Sequence, residues 1–221
     1  MRLPSHPQLS GTLSAVADEI SRDSGVAFTY ELDVSNPFHI TRMVETVEKY
    51  HGAIDLLVNN ASAVDLRAAV SLKKVNLMQA VNARGTLLMN MGFLAQLRAS
   101  RGQIVSISSP LDDHVRWLDA ALPYAMSKYG MTLGTIGLSR QVKANCIWPK
   151  RTISTAATRM LEAQTQTPYH TNGRDAEYFV DAIMRLVEHD SSGMTCIDED
   201  LIPNPDIDAP LDMFVDDSNQ N

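Results

Sequence analysis

The sequence predicts an α/β protein built on a parallel sheet. Two apolar runs carry this expectation, Ile54 to Val58 and Gly102 to Ser109. Neither alternates with polar residues, which is the pattern of strands buried on both faces. The third observation is that stretches of helical period separate the runs, so strands and helices alternate along the chain.

The elements follow in order. From Leu9 to Arg22, Leu13, Val16, Ala17 and Ile20 fall at helical spacing, and Gly25 closes the helix. Val26 to Val34 alternates and is rich in β-formers, which predicts a strand ending at Asp33. Pro37 opens a helix that places Ile40, Met43, Val44 and Val47 on one face, and Gly52 stops it. The Ile54–Val58 strand ends in Asn59-Asn60. Lys73 to Arg98 is a long helical stretch, Gly102 to Ser109 a buried strand, and Tyr124 to about Gln141 a helix. Val142 to Trp148 is a strand ended by Pro149. Thr155 to Glu162 and Arg174 to Glu188 are helical, and Met194 to Ile197 is a last strand. Residues 201–221 hold three prolines and five aspartates among a few apolar anchors, which predicts an irregular tail.

Composition bounds the function classes. The 221 residues are enough for one domain with a sizeable core. At 44% hydrophobic and 20% charged, the chain reads as globular and soluble. Its formal net charge of −7 gives no support to a nucleic-acid or anionic-membrane partner. The charge is uneven: residues 186–221 carry ten acidic side chains and no Lys or Arg, while residues 1–185 are slightly basic. No run approaches the ~18 apolar residues of a membrane span. Met1 to Pro7 has no apolar core of a signal peptide, and Asn219-Gln220-Asn221 is not a peroxisomal ending. A cytoplasmic location is the default expectation. Cys146 and Cys196 are too few for a disulfide framework and read as small buried hydrophobes. The six histidines show no metal-ligand spacing, so no metal is expected.

The chemistry concentrates in Tyr124-Ala-Met-Ser-Lys128. Tyr and Lys four apart share one helix face. An ammonium near a phenol favours the phenolate, and a phenol so tuned can serve as acid or base at a carbonyl or alcohol. Alone, the pair is an unspecific signal. Fifteen residues upstream, Ser109 ends a buried strand, and strand ends in α/β sheets are where ligands bind. Asn59-Asn60-Ala61-Ser62 also follows a buried strand, though turn chemistry accounts for it equally well. His114 and Trp117 lie between Ser109 and Tyr124, where a pocket lining and a plain loop are equally good readings. Gly130, Gly134 and Gly137 read as close helix packing and not as a phosphate loop.

Together these residues resemble the short-chain dehydrogenase/reductase family. Asp33-Val34, Asn59-Asn60-Ala61, Asn82 with Gly85, Ser109, Tyr124-x-x-x-Lys128 and the segment after Trp148-Pro149 come in that family's order. In detail, NNAS, VNARGT, YAMSKYGM and IWPKRTISTAA are similar to the hydroxysteroid dehydrogenase-like protein 2 group. The resemblance covers roughly Pro7 to Phe214. It implies a Rossmann-like, doubly wound sheet that uses NAD or NADP on a carbonyl or alcohol substrate. It further implies that Tyr124 is the acid/base, that Lys128 lowers its pKa and binds the nicotinamide ribose, and that Ser109 polarises the substrate carbonyl. Asn82 would hold a relay water, Asp33 would contact adenine, Asn59 would line the cofactor cleft, and Ile153 and Thr155 would flank the nicotinamide carboxamide. The long helices would form a homo-oligomer surface, and the related group suggests a peroxisome or mitochondrion.

The sequence departs from the family at its front. The first strand–helix–strand unit, with its glycine-rich phosphate turn, has no counterpart, so residues 7–200 are expected to form a truncated domain followed by the 201–221 tail. Losing two strands would open a gap of about 10 Å in the sheet. The stretch from Lys128 to Trp148 is also about one helical turn short. Three readings stay open: an oxidoreductase, a non-catalytic remnant without cofactor, and a partner subunit.

Overall fold

The computed structural model describes residues 12–67, 70–110, 116–165 and 173–202. The 203–221 tail, His114 and the side chain of Trp117 lie outside the described residues. The described sheet has four parallel strands in sequential order: β1 (Leu56–Asn59), β2 (Gln103–Ile107), β3 (Lys143–Trp148) and β4 (Thr195–Ile197). Helices cover both faces. On one face Ile104 and Ala144 meet Ile40 and Val47 of α2 (Pro37–Tyr50), Met89 of α4 (Thr86–Gly92) and Leu97 of α5 (Leu94–Ser100). On the other, Val105, Ile147 and Cys196 pack on Phe179, Ala182 and Leu186 of α8 (Ala176–Glu188). Successive residues of β2 thus feed opposite cores, the reason its run carries no alternation.

The front of the chain differs from expectation. The first described helix, α1 (Leu13–Arg22), is capped by Thr12, and none of its residues is buried. Ser24, with φ 69°, takes the left-handed position that Gly25 was expected to fill. Val26 to Val34 is not a strand. Its alternation is real, but a strand needs a neighbouring ladder, and Val26 and Phe28 stand 81% and 65% exposed. β1 is the edge of the described sheet, so Leu56 and Val58 are exposed instead of buried on both faces.

The long helical stretch divides into α3 (Leu72–Met78), a π-helical segment (Gln79–Gly85), α4 and α5, with a break at Phe93. α6 (Arg116–Ile136) packs across it. A Cβ at Gly130 would come within 2.7 Å of the Ala83 Cβ, so the absence of a side chain is what permits this approach. α6 ends at Ile136, short of the expected Gln141. After β3 come α7 (Ala156–Thr165), α8, β4 and the short α9 (Asp198–Leu201).

Candidate active site

The C-terminal ends of the strands bring most of the expected residues to one edge of the sheet. Asn59 closes β1, Ser108 and Ser109 follow β2, and Trp148 closes β3. α6 reaches this edge through a kink. Ala121 is non-helical (φ −150°, ψ 55°), and Pro123 starts a fresh helical run that carries Tyr124 and, one turn on, Lys128.

Lys128 is 2% exposed. Its Nζ donates to the Ile107 carbonyl (2.8 Å) and touches Met131 Sδ (3.6 Å). It also stands 5.9 Å from the Tyr124 ring centre and 5.3 Å from that of Trp148. Burial pulls the ammonium down to a pKa of about 7. The Tyr124 phenol is hydrogen-bonded with Ser62, and burial pushes its pKa above the ordinary range. The sequence argument had the ammonium favouring the phenolate. Here the ammonium turns to a carbonyl and two ring faces, desolvation dominates, and the phenol is held protonated.

Ser109 is positioned through its backbone. Thr132 Oγ1 donates to the Ser109 carbonyl (2.6 Å) and bonds Ser108 Oγ (2.9 Å). Ser108 Oγ in turn donates to the Lys128 carbonyl (2.8 Å). These bonds fasten the exit of β2 to the face of α6 that carries Lys128.

Asn82 sits in the π-helical segment and is fully buried. π-helical turns re-aim side chains and recur at functional sites. Asn82 Oδ1 accepts from the Ala63 N–H (2.7 Å), while Nδ2 donates to the Ala63 carbonyl (2.8 Å) and Ser127 Oγ (2.8 Å). Ser127 Oγ donates to the Tyr124 carbonyl (2.7 Å). The loop that supplies Ser62 is therefore tied to the turn that supplies Tyr124, and the Asn82 carboxamide is committed to protein partners at both ends.

The remaining expected residues are more dispersed. Asn59 points inward, its Nδ2 donating to Asn90 Oδ1 (2.7 Å) and Ser106 Oγ (3.0 Å). Asp33 is exposed and accepts from Ser35 N (2.9 Å) and Oγ (2.7 Å), which lowers its pKa. Its segment rests on the π-helical turn, where Gly85 leaves room for the Val34 carbonyl and Arg84 Nη2 donates to the Ser35 carbonyl (2.8 Å). Ile153 packs against the second core, and Thr155 shares hydrogen bonds with Thr158 at the start of α7. Sequence reasoning did not single out Ser62, Ser127 or Trp148 as site residues. Ser62 and Ser127 lie inside the quoted NNAS and YAMSK strings, where their hydroxyls were the available signal.

Comparisons with known proteins show the family. The short chain dehydrogenase family model matches residues 8–166. Hydroxysteroid dehydrogenase-like protein 2 of Xenopus laevis is 34% identical over 218 residues, covering 95% of this chain and 51% of that protein. The Homo sapiens protein is 37% identical over 163 residues, covering 71% and 39%. The chain spans about half the length, or less, of these curated relatives. A short chain dehydrogenase structure from Mycobacterium thermoresistibile superposes with a TM-score of 0.80 at 29% identity, covering 90% of this chain and 74% of that one. With a matching sheet, a Tyr-Lys helix across its C-terminal edge and these relatives, the chain belongs to the short chain dehydrogenase family.

Proposed function

We propose that this site is an oxidoreductase site, exchanging a hydride and a proton between a nicotinamide cofactor and the carbonyl or alcohol of a small-molecule substrate. The observation that carries the reading is the pair on α6: a phenol held protonated, with a buried lysine 5.9 Å from its ring, at the C-terminal edge of a parallel sheet. A protonated phenol can give its proton to a carbonyl oxygen, and the corresponding phenolate can take one from an alcohol, so the group can serve either direction. Ser109, whose backbone carbonyl accepts from Thr132, would hydrogen-bond the same oxygen through its hydroxyl. Asn82 keeps the Ser62 loop and the Tyr124 turn together.

The residues fit the nicotinamide end of NAD or NADP. Lys128 has the donors for a ribose hydroxyl, and the Ile153–Thr155 segment lies beyond the end of β3 to border the carboxamide. The bound group would supply or accept the hydride. The diphosphate end fits less well: Gly130 and Gly134 of α6 are packed against Ala83 and Leu87 and leave no open glycine turn there. That packing favours a second reading, a family member without cofactor binding. Homo-oligomerisation through the long helices would use the exposed Leu87 and Met91.

Calorimetric titration of the 221-residue chain with NADH and NADPH separates the readings. The expected result is binding weaker than micromolar, with carbonyl-dependent oxidation at saturating cofactor. Tyr124→Phe should abolish turnover and leave binding nearly intact. Absence of binding would establish the second reading. Turnover that survives in Tyr124→Phe would remove the phenol from the mechanism.

A further inference from the structure

A second set of charges lies behind the Lys150–Thr155 segment, away from Tyr124. Glu199 of α9 pairs with two cations. Lys150 Nζ donates to its Oε2 at 2.7 Å, and Arg174 Nη2 donates to its Oε1. The side chains are 24% (Lys150), 9% (Arg174) and 12% (Glu199) exposed, so these are not loose surface pairs. The neighbouring Asp198 is fully buried and accepts from the Lys150 backbone N–H (2.9 Å).

The backbone of Arg174 completes the arrangement. Its N–H donates to the Thr152 carbonyl (2.9 Å), and its carbonyl accepts from the Ser154 N–H (3.0 Å), bracketing Ile153. The Arg174 guanidinium stacks on Tyr178 of α8, 4.2 Å from the ring centre. The Tyr178 hydroxyl donates to the carbonyl of Ile202, just past α9. Asp198 therefore grips the front of the segment through Lys150. Glu199 grips its middle through Arg174. Both carboxylates ride on an element fixed to β4 and α8.

We propose that Asp198 and Glu199 are positioning residues for the cofactor site, clasping the Lys150–Thr155 segment so that Ile153 and Thr155 stand where the nicotinamide carboxamide is to bind. The cofactor part of this rests on the function proposed above. The clasp itself does not. An acidic pair serves here because the segment presents one backbone N–H and one ammonium, and its neighbour Arg174 a guanidinium, all of which are donors only. The last stretch of sequence, where acids gather without bases, thus contributes two of its carboxylates to the interior.

Amide hydrogen exchange of the full chain without cofactor tests the clasp. In Glu199→Gln, exchange of the Ser154 and Arg174 amides should accelerate roughly tenfold or more, while Val105 in β2 stays unchanged. Lys150→Met, which leaves the Arg174–Glu199 pair in place, should shift the same amides less, and Lys150→Arg should behave as the parent. These two variants also serve if Glu199→Gln does not fold. Unchanged exchange at Ser154 in folded Glu199→Gln or Lys150→Met would overturn the clasp, and so would a uniform acceleration that includes Val105. With cofactor, Glu199→Gln should raise the nicotinamide cofactor's KM several-fold and leave kcat at saturation within about twofold. An unaltered KM beside altered exchange would refute the positioning role. Absence of cofactor binding in the parent would refute the functional reading, and with it the cofactor role, leaving the clasp to be decided by exchange alone.

Discussion

The Lys128 ammonium lies 5.3 Å from the centre of the Trp148 indole, and both side chains are buried, at 2% and 5% exposure. An aromatic face and one carbonyl replace the water that an ammonium would otherwise hold. A cation–π contact of this kind returns on the order of 1–2 kcal/mol, less than burial removes. The lysine therefore titrates near neutrality, at about 7.

The first prediction is a stability that rises with pH. Between about 7 and the unfolded lysine value near 10.4, the unfolded chain binds the proton that folded Lys128 has lost, so stability increases with pH. The penalty is full below 7 and relieved as pH climbs. Burial pushes Cys146 and Cys196 up to about 12, so their contribution is full below about 9 and is lost as pH rises through 12. Stability should gain roughly 2 kcal/mol from pH 7 to 9 and then level or fall. Urea midpoints at pH 7, 8 and 9 measure it. Lys128→Met should remove the rise, and an identical slope in that variant would refute the assignment.

The two thiols should be inert in the native state. Cys146 is fully buried against the Thr132 carbonyl, and Cys196 sits in the opposite core with Ile147 and Phe179. They lie on adjacent strands but face opposite sides of the sheet, so they are not placed to form a disulfide. At pH 8, alkylation of either thiol should be slower by orders of magnitude in native protein than in urea-unfolded protein. Rapid labelling of the native form would contradict this packing.

Much of this was legible in the sequence, for physical reasons that differ by element. β2 was readable because both faces of its run are buried, and the Tyr124–Lys128 pair because helical spacing alone places it on one face. The Val26–Val34 segment was misread because alternation reports a pleated surface and says nothing about whether a neighbour is there to pair with. The state of Tyr124 was misread for a similar reason: spacing brings the ammonium near the ring, while the Ile107 carbonyl, remote in sequence, decides where its charge points. The π-helical turn at Asn82 lies where α6 packs across the stretch, and the break at Phe93 follows Gly92, which meets Ile40 and Val44 of α2; no local window contains either contact.

Two glycines of α6 should respond oppositely to alanine. At Gly130 a Cβ would stand 2.7 Å from the Ala83 Cβ, so Gly130→Ala should destabilise by about 1–3 kcal/mol despite alanine's better helix propensity. At Gly134 the nearest atom is the Leu87 Cβ at 3.5 Å, an ordinary contact. Gly134→Ala should therefore be neutral or stabilise by about 0.5–1 kcal/mol. Thermal melts of the two variants check the contrast. A common sign would mean that α6 does not approach the π-helical turn as closely as described.

Asn82→Ala tests whether the π-helical turn serves the site or only the fold. The substitution removes the partner of the part-buried Ala63 N–H and carbonyl and one of the two bonds of the buried Ser127 hydroxyl. Unfulfilled buried groups cost about 1–3 kcal/mol each before water or relaxation compensates them, so a net loss of roughly 2–3 kcal/mol is expected. Gly134→Ala offers a control of preserved stability. The local consequence is more specific: freed from Asn82, the Ala63 segment should carry Ser62 away from the phenol. Because the bond with Ser62 is what lowers the Tyr124 pKa, Tyr124 should then titrate at higher pH than in the parent, read as less tyrosinate absorbance by ultraviolet difference spectra at the highest pH where both proteins remain folded. A variant that loses stability but keeps the parent's tyrosine titration would assign Asn82 to the fold alone.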